Sequence, residues 1–143
     1  MKKQVLGIVT MLTLVLMLTA ASVHAQSTRT RINIPFSFTV GQETLPAGEY
    51  TVEPLRRDSN TTWLLQSKTG NHGVIVITSA GRESRTEDTR LVFHKYDNEY
   101  FLSQIWTPTV SVSRELPVRR TEREIASNGI ERETVSVTAG VGK

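Results

Sequence analysis

Cysteine is absent from the chain, tryptophan occurs twice and histidine three times. Without thiols there are no disulfide staples, no thiolate metal sites and no cysteine nucleophile, so the fold rests on its core and its backbone ladders. Long helical periodicity is also scarce, repeats and low-complexity tracts are absent, and neither charge sign dominates. Lys and Arg total 17 against 14 acids, with the signs interspersed. Such a balance is no electrostatic platform for nucleic acid.

One long apolar run is present, at the start. Lys2 and Lys3 precede an uncharged stretch from Gln4 to Ala25 whose heart, Val5 to Leu18, is rich in Leu, Val, Met and Ile. Val23-His24-Ala25 then places acceptable residues at the two positions that signal peptidase reads. The order predicts a signal peptide over residues 1–25, cleaved after Ala25, with a periplasmic or secreted product. An uncleaved anchor is the competing reading, since the run is just long enough to span a bilayer. Thr10, Thr13 and Thr19 within the run and the well-placed cleavage site weigh against it. Cleavage leaves 118 of the 143 residues, enough for one domain with a modest core, and its net charge drops to +1 because Lys2 and Lys3 leave.

The remaining chain reads as strands. Ile32, Ile34, Phe36, Phe38 and Val40 alternate with polar or small residues, the clearest period-two signal, with Pro35 pointing to an edge or a bulge. Leu45-Pro46-Ala47-Gly48 has the residues of a type I turn, and Glu49 to Glu53 returns as a strand that Pro54 closes. Trp63 to Gln66 predicts a third strand. Val74-Ile75-Val76-Ile77, a continuous β-branched run, predicts a strand buried on both faces. Ser79 to Thr89 reads as an exposed, mobile loop, and Val110 with Val112 as a short edge strand.

The densest apolar span is Leu91 to Trp106, two aromatic runs around Asp97-Asn98, which predicts a β-hairpin. A two-residue loop sets Phe93 opposite Leu102 and Lys95 opposite Tyr100. Leu91, Phe93, Tyr100, Leu102 and Trp106 then share one face. A three-residue loop pairs Tyr96 with Tyr100 and sets His94 beside Leu102; the first register gathers the larger apolar set.

Near 117–127 lies one helix. Pro117 suits its first position, Val118, Thr121 and Ile125 recur at helical spacing toward the sheet, and Asn128-Gly129 ends it. Glu115–Arg119 and Arg120–Glu124 have i,i+4 spacing. Thr134 to Ala139 predicts a last strand. The architecture expected is a single antiparallel β-barrel or sandwich of about seven or eight strands over residues 26–139, with this short C-terminal helix and a flexible tail at 140–143.

The chemistry-bearing residues are sparse. Lys68-Thr69-Gly70 copies a β-lactamase box, but the Ser-x-x-Lys partner motif is missing, so a turn is the better reading. No Gly-x-Ser-x-Gly elbow exists. His72 lies among turn residues, and His94 alternates with Val92 and Tyr96 in a strand, where a hydrogen-bonded structural role is the commoner one. No pair of histidines has zinc spacing, and Asp97 with Glu99 lacks an enclosed cleft, so no metal, cofactor or catalytic residue is assigned. Two clusters are candidates for a partner surface. Arg114, Arg119, Arg120 and Arg123 form the densest basic cluster, and Trp63, Trp106, Tyr96 and Tyr100 offer a carbohydrate-stacking strip. The solvated outer face of a helix is the better reading of the first, and the core and rim of a small sheet the better reading of the second.

Ile34-Pro35-Phe36-Ser37-Phe38-Thr39-Val40-Gly41, Leu45-Pro46-Ala47-Gly48-Glu49-Tyr50-Thr51-Val52, Leu91 to Tyr96, Tyr100 to Trp106 and Arg114-Glu115-Leu116-Pro117 together resemble a group of small exported bacterial proteins of unassigned function. The resemblance implies an exported all-β domain and adds nothing about mechanism. The function expected is therefore a non-catalytic envelope or extracellular binding or structural module, meeting an envelope protein or a polysaccharide. A small barrel carrying an apolar ligand is the alternative, and a hydrolase using His94 with a nearby Ser and carboxylate ranks third.

Overall fold

The computed structural model describes residues 30–140 except 57 and 84; the predicted signal peptide and the last three residues of the predicted tail lie outside the described residues. Among the described residues the chain is mostly strand with one short helix, as its alternation predicts. The described residues form eleven strands: β1 Thr30–Ile34, β2 Phe38–Val40, β3 Glu43–Leu45, β4 Gly48–Arg56, β5 Ser59–Ser67, β6 Gly73–Ile77, β7 Ser79–Glu83, β8 Arg90–Tyr96, β9 Glu99–Trp106, β10 Val112–Glu115 and β11 Arg132–Thr138. Helix α1, Arg120–Ser127, lies between β10 and β11. No helix among the described residues is long and apolar enough to cross a membrane.

Two sheets share the strands. The first has the order β1-β4-β5-β6; the second runs β11-β8-β9-β10-β7, with β2 also on β9 and β3 on β2. The sequence alternation from Arg31 to Val40 is broken at Pro35, which has no N–H for a ladder. That break lets one alternating run serve both sheets: β1 pairs with β4, and β2 crosses to β3 and β9. The chain crosses again at Thr78, the single residue between β6 and β7. Thr78 is buried, and both its N–H and its hydroxyl bond to the Thr61 carbonyl, at 2.7 and 3.1 Å.

The inner faces meet in one apolar cluster. The first sheet supplies Ile32, Ile34, Tyr50, Val52, Trp63 and Leu65; the second supplies Phe38, Val40, Leu91, Phe93, Leu102 and Ile105. Each buries the apolar half of an alternating strand, the pattern of packed antiparallel sheets. Phe38 sits edge-on to both Tyr50 and Phe93 at 5.3 and 5.4 Å, tying the two sheets together.

Several expectations change. Strand β4 runs through Pro54, which sits opposite Trp63 just before a bulge. Ser79–Glu83, read as a loop, is β7, paired with β10, so β10 is flanked on both sides and is no edge. β6 is buried on one face only: Val74 and Val76 point inward, while Ile75 and Ile77 are 57% and 74% exposed. β-branched residues suit both a buried and an edge strand, so composition does not distinguish the two.

The central hairpin has the two-residue loop, with Phe93 opposite Leu102, Lys95 opposite Tyr100 and Tyr96 opposite Glu99. Asp97 takes the left-handed conformation at φ 55, which Asp tolerates better than most residues. Beyond Phe93 the register shifts by one residue, because Val92 faces Gln104. The shift exchanges the faces of the far end of β9. Ile105 takes the core place opposite Leu91, and Trp106 turns outward against Arg90.

Helix α1 starts at Arg120, three residues after Pro117, and Arg119 is its N-cap. Glu115 lies in β10, so its spacing to Arg119 is not helical. Arg120 and Glu124 do pair, at 2.7 Å. Val118 and Thr121 are exposed, Ile125 is half-buried, and Glu122 is the buried helix residue at 5%. The helix therefore presents a carboxylate, not its apolar stripe, to the sheet.

Candidate functional site

On β8, Leu91 and Phe93 point into the core, so the intervening Val92, His94 and Tyr96 point to the outer face of the second sheet. On β9, Phe101 stands opposite His94. The register shift leaves Ser103 between the paired Leu102 and Gln104 with no partner of its own on β8. This placement sets Ser103 Oγ 2.9 Å from His94 Nε2. From above, α1 sets Glu122 Oε1 2.6 Å from His94 Nδ1. Tyr96 completes the cluster, its hydroxyl donating to the same Glu122 oxygen at 3.4 Å.

The His94 and Glu122 side chains are 16% and 7% exposed, so the pair is largely dry. A carboxylate only accepts, which puts a ring proton on Nδ1; in the neutral imidazole Nε2 is then left to accept from the Ser103 hydroxyl. Hydroxyl, imidazole and carboxylate thus stand in the order of a nucleophile, its base and the group that orients the base. The same chain of bonds also ties α1 to the sheet. Burial pushes the Tyr96 phenol above its ordinary value, and the Glu122 charge pushes it the same way.

Beside this cluster runs a groove of about 390 Å3. Residues 74–77 of β6 form one wall, the β2–β3 turn at Gly41 and Gln42 another, and Leu116, Pro117 and Arg119 a third. Phe101, Leu102 and Glu122 reach it from the hairpin and the helix. The Leu116 N–H donates to the Ser103 carbonyl at 2.8 Å, so the groove wall and the serine are directly joined.

The candidate partner-surface residues are dispersed, and the aromatics lie in the core and rim, the reading preferred for them from the sequence. Trp63 is 1% exposed between the sheets, with its indole N–H on the Asn60 carbonyl at 2.9 Å. Tyr96 is buried beside Glu122, and Tyr100 stacks on Phe36 with ring centroids 3.8 Å apart. Trp106 is half-buried, donating to Gln104 at 3.0 Å under the Arg90 guanidinium. No aromatic strip is assembled from these four. Arg119, Arg120 and Arg123 are exposed at the start of α1, whereas Arg114 is half-buried in β10 with an unpartnered Nε. His72 is exposed in its turn.

Sequence reasoning named His94 but neither Ser103 nor Glu122. The hairpin register places Ser103 diagonally from His94, so that contact had a signal. Glu122 had none, because it lies on a helix whose apolar stripe points elsewhere.

No family model, curated protein or solved structure matches the chain.

Proposed function

We propose that the chain is an exported binding or structural module that meets an envelope protein through the free edge of β6. The carrying observation is the chemistry of that edge. Gly73-Val74-Ile75-Val76-Ile77 has no charge, no proline and no bulge, and it ends its sheet. The other terminal strands each carry charge: Arg31 on β1, Glu43 on β3, Arg82 and Glu83 on β7, Arg132 and Glu133 on β11. Charged edges resist pairing with foreign strands, and an uncharged one invites it. Ile75 and Ile77, the two most exposed large apolar side chains described, flank the same edge. An extended segment laid in the adjoining groove would gain backbone hydrogen bonds and apolar cover together.

Export is the second part of the proposal and rests on Lys2 to Ala25 and on the resemblance to small exported bacterial proteins. A polysaccharide partner lacks comparable support, because its aromatic platform is divided among the core, the helix interface and the rim. The carrier reading needs an open interior, and Trp63, Tyr50, Phe38 and Phe93 fill the space between the sheets at 1% exposure or less.

Two measurements test this. Intact mass of the protein from the producing cell should begin at Gln26; a membrane-bound species retaining Met1 removes the export claim. Immobilised residues 26–143 should retain an envelope protein that the Ile75→Lys variant releases. Retention unchanged by Ile75→Lys removes the β6 edge, and loss on reversing Arg119, Arg120 and Arg123 to Glu assigns contact to the helix instead.

A further inference from the structure

We propose that Ser103, His94 and Glu122 form an acyl-transfer site in which Ser103 is the nucleophile, and that its substrates are acyl esters. The inference goes beyond the binding reading and takes up the hydrolase reading that ranked third from the sequence, with the serine and the carboxylate now named. Three observations carry it. Ser103 Oγ and Glu122 Oε1 occupy the two nitrogens of one imidazole, at 2.9 and 2.6 Å, in the order that lets the ring take the serine proton. Ser103 occupies the register shift of β9, and bulges commonly re-aim a side chain beside a reactive site. Glu122 also lines the adjoining groove, whose walls mix Val40, Val76, Phe101, Leu102 and Leu116 with Glu43 and Arg119, and the Leu116 N–H joins that wall to the Ser103 carbonyl.

The reaction balances without a cofactor. Ser103 Oγ attacks the ester carbonyl carbon while His94 Nε2 takes the hydroxyl proton, and Glu122 holds the resulting imidazolium. The tetrahedral adduct collapses, the carbon–oxygen bond to the alcohol breaks, and the leaving alkoxide takes the proton from Nε2. Water then attacks the acyl-serine with His94 again as base, releasing the carboxylic acid and restoring the Ser103 hydroxyl. Esters are the class assigned because an alkoxide leaves with less assistance than an amine.

The test is covalent. The exported protein as purified is incubated with a fluorophosphonate, and its intact mass should rise by one phosphonyl group, mapped by digestion to the Ser103 peptide. Ser103→Ala should abolish the modification with an unchanged circular dichroism spectrum. His94→Gln should slow it about 100-fold, and Glu122→Gln about tenfold or more. A p-nitrophenyl butyrate assay should show turnover that Ser103→Ala lacks. Should His94→Gln fail to fold, the comparison of the native protein with Ser103→Ala decides alone. Ser103 left unmodified under conditions that fully label a serine protease overturns the proposal, as does equal ester turnover by Ser103→Ala. Neither result touches the β6 edge, whose test reads capture and not chemistry.

Discussion

Glu122 Oε1 lies 2.6 Å from His94 Nδ1 across 28 residues of sequence, and this bond joins the helix to the sheet. A buried carboxylate is stable only when its oxygens are satisfied. Glu122→Ala should therefore cost about 2–3 kcal/mol in a urea titration, the range for a hydrogen bond to a charged group. In a double-mutant cycle with His94→Ala the coupling should be about 1–2 kcal/mol. Additive losses would show that the contact does not hold the helix.

The register shift in β9 makes unequal partners of two large aromatics. Phe93 is fully buried, and Phe93→Ala should cost about 3–5 kcal/mol. Trp106, half-buried beneath Arg90, should cost about 1–2 kcal/mol on replacement by Ala, chiefly through lost stacking. Equal losses in the same titration would place Trp106 in the core and remove the shift.

Gly81 on β7 has no room for a side chain. A Cβ there would collide with Ser113 Oγ and come within 2.6 Å of Glu115 Cγ. Gly81→Ala should destabilise by about 1–3 kcal/mol through overpacking, and adding Ser113→Ala should recover part of it. Thermal melting of the single and double variants measures both; a neutral Gly81→Ala would mean that β7 stands off from β10.

Alkali should weaken the fold. Burial holds the Tyr50 phenol above its ordinary value of 10.0, and burial with the Glu122 charge does the same for Tyr96. The native chain thus retains these protons after the unfolded chain has released them. The resulting stability is fully present below pH 10 and is lost as pH rises through the raised native values. Lys95, raised above 10.5 chiefly by its hydrogen bond to Glu133, acts in the same direction. Denaturation midpoints measured from pH 8 to 12 should fall steepest above 10, and Tyr50→Phe with Tyr96→Phe should flatten the decline.

The fold class was written locally, in Ile32-x-Ile34, Tyr50-x-Val52, Trp63-x-Leu65 and Leu91-x-Phe93, because a period of two commits a strand's faces whatever it later pairs with. Asp97-Asn98 likewise set the hairpin loop, since turn length fixes register over the adjoining pairs. The sequence alone thus determined an all-β chain, its central hairpin and the residues of most of its core. Only the tertiary structure decided which sheet each strand joined, and why is physical. Nothing local to Val74–Ile77 tells a central strand from an edge. The shift at Ser103 depends on what β8 offers opposite it. Which face α1 buries was settled by His94 and Tyr96 waiting on the sheet, where a hydrogen-bonded carboxylate outweighed the weak apolar stripe of an eight-residue helix. Glu122 is brought to His94 and Ser103 by those non-local choices, so no reading of spacing would have completed the cluster, although the hairpin register already set Ser103 near His94.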